Sequence, residues 1–156
     1  MENNFAFIDG QNIYQSIKQA GWTLSWGKFR VYLKDKYSVQ RAYIFLGYIA
    51  QNEKLYQVLR TCGFVIIFKE VVSLKGKIKG NVDVEIAVQS LIDINHYDQA
   101  VLVSNDGDFS YLVRYLVKQE KLRVIFGTEK QKTSFLLKKA APGKMRFLSD
   151  LKETLQ

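Results

Sequence analysis

Apolar and polar residues alternate in blocks along this chain, and the blocks switch between two periods. Phe5 to Ile8, Arg41 to Leu46, Phe64 to Phe68, Ala100 to Ser104 and Leu122 to Phe126 are short runs rich in β-branched and aromatic residues, each the length of a strand. Between them, apolar residues recur at helical spacing. The sets are Ile13, Ile17 and Ala20, then Phe29 and Leu33, then Leu55, Val58, Leu59 and Cys62. Further along come Val84, Ala87, Val88, Leu91 and Ile92, then Phe109, Leu112, Val113, Leu116 and Val117, and last Phe135, Leu136 and Ala140. Gly21 and Gly63 stop the first and third of these helices, and Ser25 caps the second. Phe64 to Phe68, apolar throughout, reads as a strand covered on both faces. The tail from Met145 to Leu155 reads as a short strand or extended piece followed by a terminal helix. Strands alternating with helices imply an α/β fold, a mostly parallel sheet flanked by helices in three layers, and the expected strand order is 3-2-1-4-5.

That order puts strands one and four side by side where the winding reverses, the place at which open α/β sheets bind ligands beyond their carboxyl ends. Strand one stops at Asp9, with Asn12 in the turn behind it, and strand four runs into Asp106-Gly107-Asp108. Asp83 opens the helix that feeds strand four, so it can approach from the side. Each aspartate alone has an ordinary use: a turn residue at Asp9, a dipole partner at Asp83, an N-cap at Asp108. Their convergence on one edge is what those uses leave unexplained. Carboxylates held this close repel one another unless a cation or a shared proton relieves them.

Composition sharpens the picture. A formal charge of +8 over 156 residues favours a polyanionic partner. Cys62 is the only cysteine, which excludes an intramolecular disulfide and a cysteine-rich zinc site and suits a reducing, cytoplasmic setting. The start of the chain has neither the basic segment nor the long apolar run of a secretory signal, and no stretch is long enough to span a bilayer, so no membrane partner is expected. Length and the lack of any linker-like segment point to a single domain over residues 1–156. G-x-G-x-x-G, G-x-x-x-x-G-K-[ST] and G-x-S-x-G are all absent. A donor set made only of oxygen selects Mg²⁺ or Mn²⁺, and phosphodiester hydrolysis is the reaction class such ions serve at aspartate clusters.

Three segments carry a family resemblance. Phe7-Ile8-Asp9-Gly10-Gln11-Asn12, Lys79-Gly80-Asn81-Val82-Asp83-Val84-Glu85-Ile86-Ala87 and Tyr97 to Phe109, in that order and spacing, resemble the NYN domain, the LabA-like branch of the PIN-fold ribonucleases. The resemblance implies a PIN-like Rossmannoid sheet and Mg²⁺- or Mn²⁺-dependent cleavage of RNA. It also implies an acidic site of Asp9, Asp83, Asp106 and Asp108, with Asn12 orienting a ligand or water. In that assignment Asp9 and Asp106 bind metal directly, Asp83 is a ligand or water-orienting base, and Asp108 an outer ligand or cap. Two positions depart from the family pattern: Gln89 where many relatives have another aspartate, and Asn105 where glycine is usual. If they weaken the site, the alternative is an RNA-binding or regulatory protein on the same fold.

RNA, single-stranded or structured, is the expected partner, and a homo-oligomer is compatible with the sequence. Ser73 to Asn81 reads as a loop whose Lys75, Lys77 and Lys79 could carry a phosphate backbone toward Asp83. Ser134 stands where a helix start could offer a phosphate its hydroxyl. Tyr14, Trp22, Trp26 and Tyr48 could stack on unpaired bases, though core packing is the commoner use of such residues. His96, at a turn, reads as a surface residue.

Overall fold

The structure, a computed structural model, describes the backbone of residues 2–70, 72–74, 77–79 and 81–156 and the side chains of residues 2–70 and 81–156. Strand β1 (Asn4–Asp9) leads into α1 (Gly10–Gln19), α2 (Trp26–Tyr37), β2 (Val39–Gly47), α3 (Glu53–Thr61) and β3 (Phe64–Lys69). After the short β4 (Val72–Leu74) and β5 (Lys77–Lys79) come α4 (Asp83–Ile92), β6 (Ala100–Val103) and α5 (Ser110–Lys118). The chain closes with β7 (Leu122–Gly127), α6 (Phe135–Ala140), β8 (Met145–Phe147) and α7 (Lys152–Leu155). Six strands form one parallel sheet in the order β3-β2-β1-β6-β7-β8. The expected order of the first five is found, and β8 extends it by one strand at the edge.

Alternation along the central strands divides the core in two. Ala6 and Ile8 of β1 face one way, onto Ile13, Ile17, Phe29, Leu33 and Leu59 of α1, α2 and α3. Phe5 and Phe7 face the other, toward Ile86, Leu112, Val113, Leu116 and Leu137 of α4, α5 and α6. Each such fully buried side chain contributes about 1.5–3 kcal/mol, so neither face of β1 can slip register without exposing several of them. Ser25 accepts a hydrogen bond from the Lys28 N–H and starts α2, while Gly21 and Gly63 take positive φ values of 86° and 98° behind α1 and α3.

Five expectations need correction. Where a loop was expected over Ser73 to Asn81, Val72–Leu74 and Lys77–Lys79 pair as antiparallel strands, with Ser73 of β4 opposite Ile78 of β5. Strand β3 is an edge strand, and only Phe64 of it is fully buried. In α4 the apolar stripe points outward: Val84 is 66% exposed and Ile92 62%, whereas the inner face is Val82, Ile86, Ser90 and Asp93. Two polar positions on that inner face disguise its helical period, and both are satisfied: Ser90 by the Ala87 and Tyr97 groups, Asp93 by Tyr43 and Gln89. In α6 likewise Leu137 is buried while Phe135 and Leu136 are exposed, and in α3 Val58 is exposed where Tyr56 is buried.

Candidate active site

The register of the two central strands builds the site. Ile8 pairs with Val103, so the next residues along, Asp9 and Ser104, leave the sheet together. The Ser104 hydroxyl donates to Asp9 Oδ2 at 3.3 Å and accepts from the Asp106 N–H at 3.1 Å. Asp106 Oδ1 in turn accepts from the Asp108 N–H at 2.8 Å, which caps the tight 3₁₀ turn Gly107–Phe109. Asp106 is therefore the cap, a role the sequence pattern assigns to Asp108. Across the cleft, Asn81 Oδ1 accepts from the Asp83 N–H at 3.2 Å at the start of α4. Lys69 holds that corner by donating to the Asn81 carbonyl at 2.6 Å and pairing with Glu85 at 3.2 Å.

Asp83, Asp106 and Asp108 each present a carboxylate oxygen within 4.8 Å of the others. Asp9 lies outside this trio but shares with Asp83 and Asp106 a cleft of about 180 Å³, lined also by Asn12, Gln11 and Gln15. The Asn12 side-chain oxygen is buried and has no hydrogen-bond partner among the described residues, an acceptor left open at the edge of the acids. Burial pushes the Asp9 carboxyl up from 3.8 to about 6, and the Asp106 charge adds to this, while the Asn12 amide and the Ser104 hydroxyl oppose it. Asp83 is pushed up to about 7, first by burial, then by the charge of Asp106 and by the hydrogen bond between the two, with smaller contributions from Asp9 and Asp108. A set of oxygens that resists its own negative charge, beside an unpartnered amide oxygen and with no histidine or cysteine among the trio, fits a hard divalent cation.

The structure brings together the four aspartates and Asn12 and treats the remaining candidates differently. Ser134 caps the six-residue α6 by accepting from the Leu136 N–H at 3.2 Å, and it packs against Gly107, so it supports the acidic turn from behind. Lys75 lies outside the described residues, as do the side chains of Lys77 and Lys79. Gln89 donates to Asp93 at 2.9 Å, one turn further along α4, and so spends its amide away from the cluster. Asn105 does not take a positive φ. Its side chain accepts from the Thr128 N–H and the Thr133 hydroxyl at 2.8 and 3.0 Å and donates to the Thr128 hydroxyl at 2.7 Å, tying the acidic turn to the end of β7. Trp22 and Trp26 are buried, whereas Tyr14 and Tyr48 are about half exposed. His96 is exposed and pairs with Asp93 at 3.6 Å.

Ser104, Asn81 and Gln11 escape a reading of the sequence alone. For Ser104 a signal exists: a hydroxyl ending an otherwise apolar strand, at the position opposite Asp9 once strands one and four are aligned. No helix among the described residues is long and apolar enough to cross a membrane.

The family model of the NYN domain matches residues 5–149. Low amplitude and bright protein LabA of Synechococcus elongatus is 25% identical over 131 residues, which covers 76% of this chain and 70% of that protein. The crystal structure of a protein of unknown function from Vibrio parahaemolyticus superposes with a TM-score of 0.78 at 25% identity, over 90% of both chains. The motifs noted in the sequence all fall inside the matched span.

Proposed function

This chain belongs to the NYN domain family, and we propose that it is an endoribonuclease that hydrolyses RNA phosphodiesters with Mg²⁺ or Mn²⁺ held at its aspartate cluster. The observation that carries the reading is the convergence of Asp83, Asp106 and Asp108 within 4.8 Å, with Asp9 in the same cleft. Asp83, Asp106 and Asp108 would hold the ion, Asp9 would face it from the β1 side, and Asn12 would offer its free oxygen to a water or a substrate hydroxyl. A bound divalent ion would supply charge neutralisation at the phosphoryl oxygens and a lowered pKa for water.

The residues contribute position and proton affinity. In the metal-free protein burial and the neighbouring carboxylates hold the Asp83 carboxyl up at about 7, so binding of a cation there would release a proton and strengthen as pH rises. The Ser104 hydroxyl, bonded to Asp9 and to the Asp106 N–H, fixes the spacing of the two strand ends. The net charge of +8 draws a polyanion toward an acidic cleft that would repel it unaided. Neither family departure removes a member of the cluster: Gln89 is bonded to Asp93, and Asn105, bonded to Thr128 and Thr133, braces the turn that carries Asp106 and Asp108. That favours an active nuclease over a binding protein built on a disused site.

The test is cleavage of a labelled single-stranded RNA in Mn²⁺ and in Mg²⁺, with EDTA as control and a folded Asp106→Asn protein beside the wild type. Cleavage by the wild type alone, abolished by EDTA, is expected, with a loss in the variant on the order of 10²-fold or more. Cleavage that survives both treatments would overturn the reading. RNA bound but uncut by both proteins would shift it to the binding protein.

A further inference from the structure

On the α1 side of the acid cleft the wall does not end in solvent. Gln11 and Gln15 line the cleft and also line a second cavity of about 270 Å³, enclosed by α1, α3 and the carboxyl end of β2. Its floor is apolar, made by buried or partly buried Leu46, Leu55 and Tyr56. Its rim carries the amides of Gln11, Gln15 and Asn52, the ring of Tyr14, 49% exposed, and the ammonium of Lys18. Among the described residues none of those three amides makes a side-chain hydrogen bond, and Lys18 has no ion pair. Gln11, Tyr14, Gln15 and Lys18 follow the i, i+3, i+4, i+7 spacing of one helix face, a track about 10 Å long that starts two residues after Asp9.

Building on the proposed ribonuclease reading, we infer that this cavity receives one unpaired nucleobase of the RNA strand whose phosphodiester lies at the aspartates. The chemistry selects that occupant. An apolar floor beside an exposed aromatic ring suits the faces of a base, and amides carry both donors and acceptors for a base edge, which presents both. An aliphatic chain would strand the three amides. The cavity of about 270 Å³ has room for a base, and Lys18, at the far end of the track, meets the phosphate of the neighbouring nucleotide. Of the aromatics singled out in the sequence, Tyr14 is therefore the stacking residue. Trp22 belongs to the core, and Tyr48 packs against Tyr56 and Phe68. A base inside a duplex cannot enter, so the site makes the protein selective for single strands.

The test measures binding apart from cleavage. A fluorescent single-stranded oligoribonucleotide and the same sequence as a duplex are titrated in EDTA against wild type, Tyr14→Ala, Tyr14→Phe and Gln15→Leu, and each protein is assayed for cleavage in Mn²⁺. Tyr14 is at the surface, so its variants are expected to fold, which circular dichroism checks. Tyr14→Ala is expected to bind the single strand at least about tenfold more weakly, the loss of one stacked base. Tyr14→Phe keeps the ring and the affinity, Gln15→Leu loses several-fold, and duplex binding changes in none. Wild-type affinity for the single strand in Tyr14→Ala, equal losses for strand and duplex, or no binding of the single strand by wild type would each overturn the base site. If Tyr14→Ala and Gln15→Leu lose single-strand affinity while wild type cuts no RNA in Mn²⁺, the base site stands and the nuclease reading falls. If wild type cuts in Mn²⁺ and Tyr14→Ala binds normally, the reverse holds.

Discussion

Asp9 and Asp93 each expose 6% of their surface, yet the protein treats them in opposite ways. Asp93, at the end of α4, accepts from the Tyr43 hydroxyl at 2.7 Å and the Gln89 amide at 2.9 Å, with His96 at 3.6 Å. Burial acts to raise its pKa, but these donors outweigh it and hold the carboxyl below its ordinary value. At Asp9 burial prevails: the Asn12 backbone N–H and a single side-chain donor, Ser104 at 3.3 Å, oppose it, the charge of Asp106 adds to it, and the carboxyl rises to about 6. Buried carboxylates are normally satisfied, as Asp93 is. A carboxylate kept short of donors next to others of its kind costs stability in the free protein, and the cost is recovered only when a cation or a proton arrives. The contrast separates a structural acid from a candidate functional one with no appeal to family membership.

The largest expected effect lies on the Asp9 side. Its folded carboxyl sits above the unfolded value of 3.8, at about 6, and that of Asp83 sits at about 7. Between about pH 4 and pH 7 the native state therefore binds more protons than the unfolded state, so stability falls as pH rises through that window and levels off above it. For Asp9 the penalty at neutral pH is about 3 kcal/mol. In EDTA, Asp9→Asn should therefore raise the melting temperature at pH 7.5 and flatten its dependence on pH between 5 and 7. Manganese should narrow that gap, stabilising the wild type by about 2.7 kcal/mol at a hundred times its dissociation constant and the variant by less. Calorimetry across pH with and without Mn²⁺ checks both. A wild-type melting temperature indifferent to pH and to metal would erase the contrast with Asp93.

Tyr43→Phe probes the other side. Removing the hydroxyl takes away a charge-assisted hydrogen bond within the fold and leaves the aspartate cluster intact. The expected cost is about 1.5–3 kcal/mol, with RNA cleavage unchanged at temperatures where the variant is folded. The pH dependence also inverts. Because the Asp93 carboxyl is lowered on folding, its contribution is present above the unfolded value and is lost as pH falls through the folded one. The gap in melting temperature between wild type and Tyr43→Phe should close below about pH 4, in the range where the Asp9 penalty is also absent.

How much of this could be read from the residues depends on whether the deciding interaction is local. The five long strands and their order follow from apolar runs and from connection rules, and the meeting of Asp9 with Asp106 follows from that order. The α4 face does not, because Ser90 and Asp93 are completed as core positions by partners distant from α4 or beyond its end, Tyr97 and Tyr43, as well as by their own helix. Strand β8, three residues with an arginine at its centre, is legible as a short strand or extended piece, but its place in the sheet is not, because that depends on the open edge of β7. The support that Ser134 gives the acidic turn rests on packing against Gly107 from some thirty residues away. Asn105 misleads for the same reason. A glycine-like turn is the local expectation at that position, yet its backbone is ordinary and its side chain ties two loops together.

Gln89→Asp gives the smallest effect and bears most directly on the family pattern, because it restores the residue many relatives carry. If position 89 belonged to the acidic site, the change would strengthen Mn²⁺ binding and speed cleavage. The geometry says otherwise. The Gln89 amide donates to Asp93 across one turn of α4, so an aspartate there removes a donor and sets a like charge four residues away. The expected result is a loss of about 1 kcal/mol in stability at neutral pH, with Mn²⁺ affinity unchanged. Because the repulsion needs both carboxylates charged, the loss should shrink as pH drops below about 4. Titration of Mn²⁺ followed by melting temperature separates the two outcomes, and a gain in metal affinity without a loss of stability would move position 89 out of the Asp93 network and into the site.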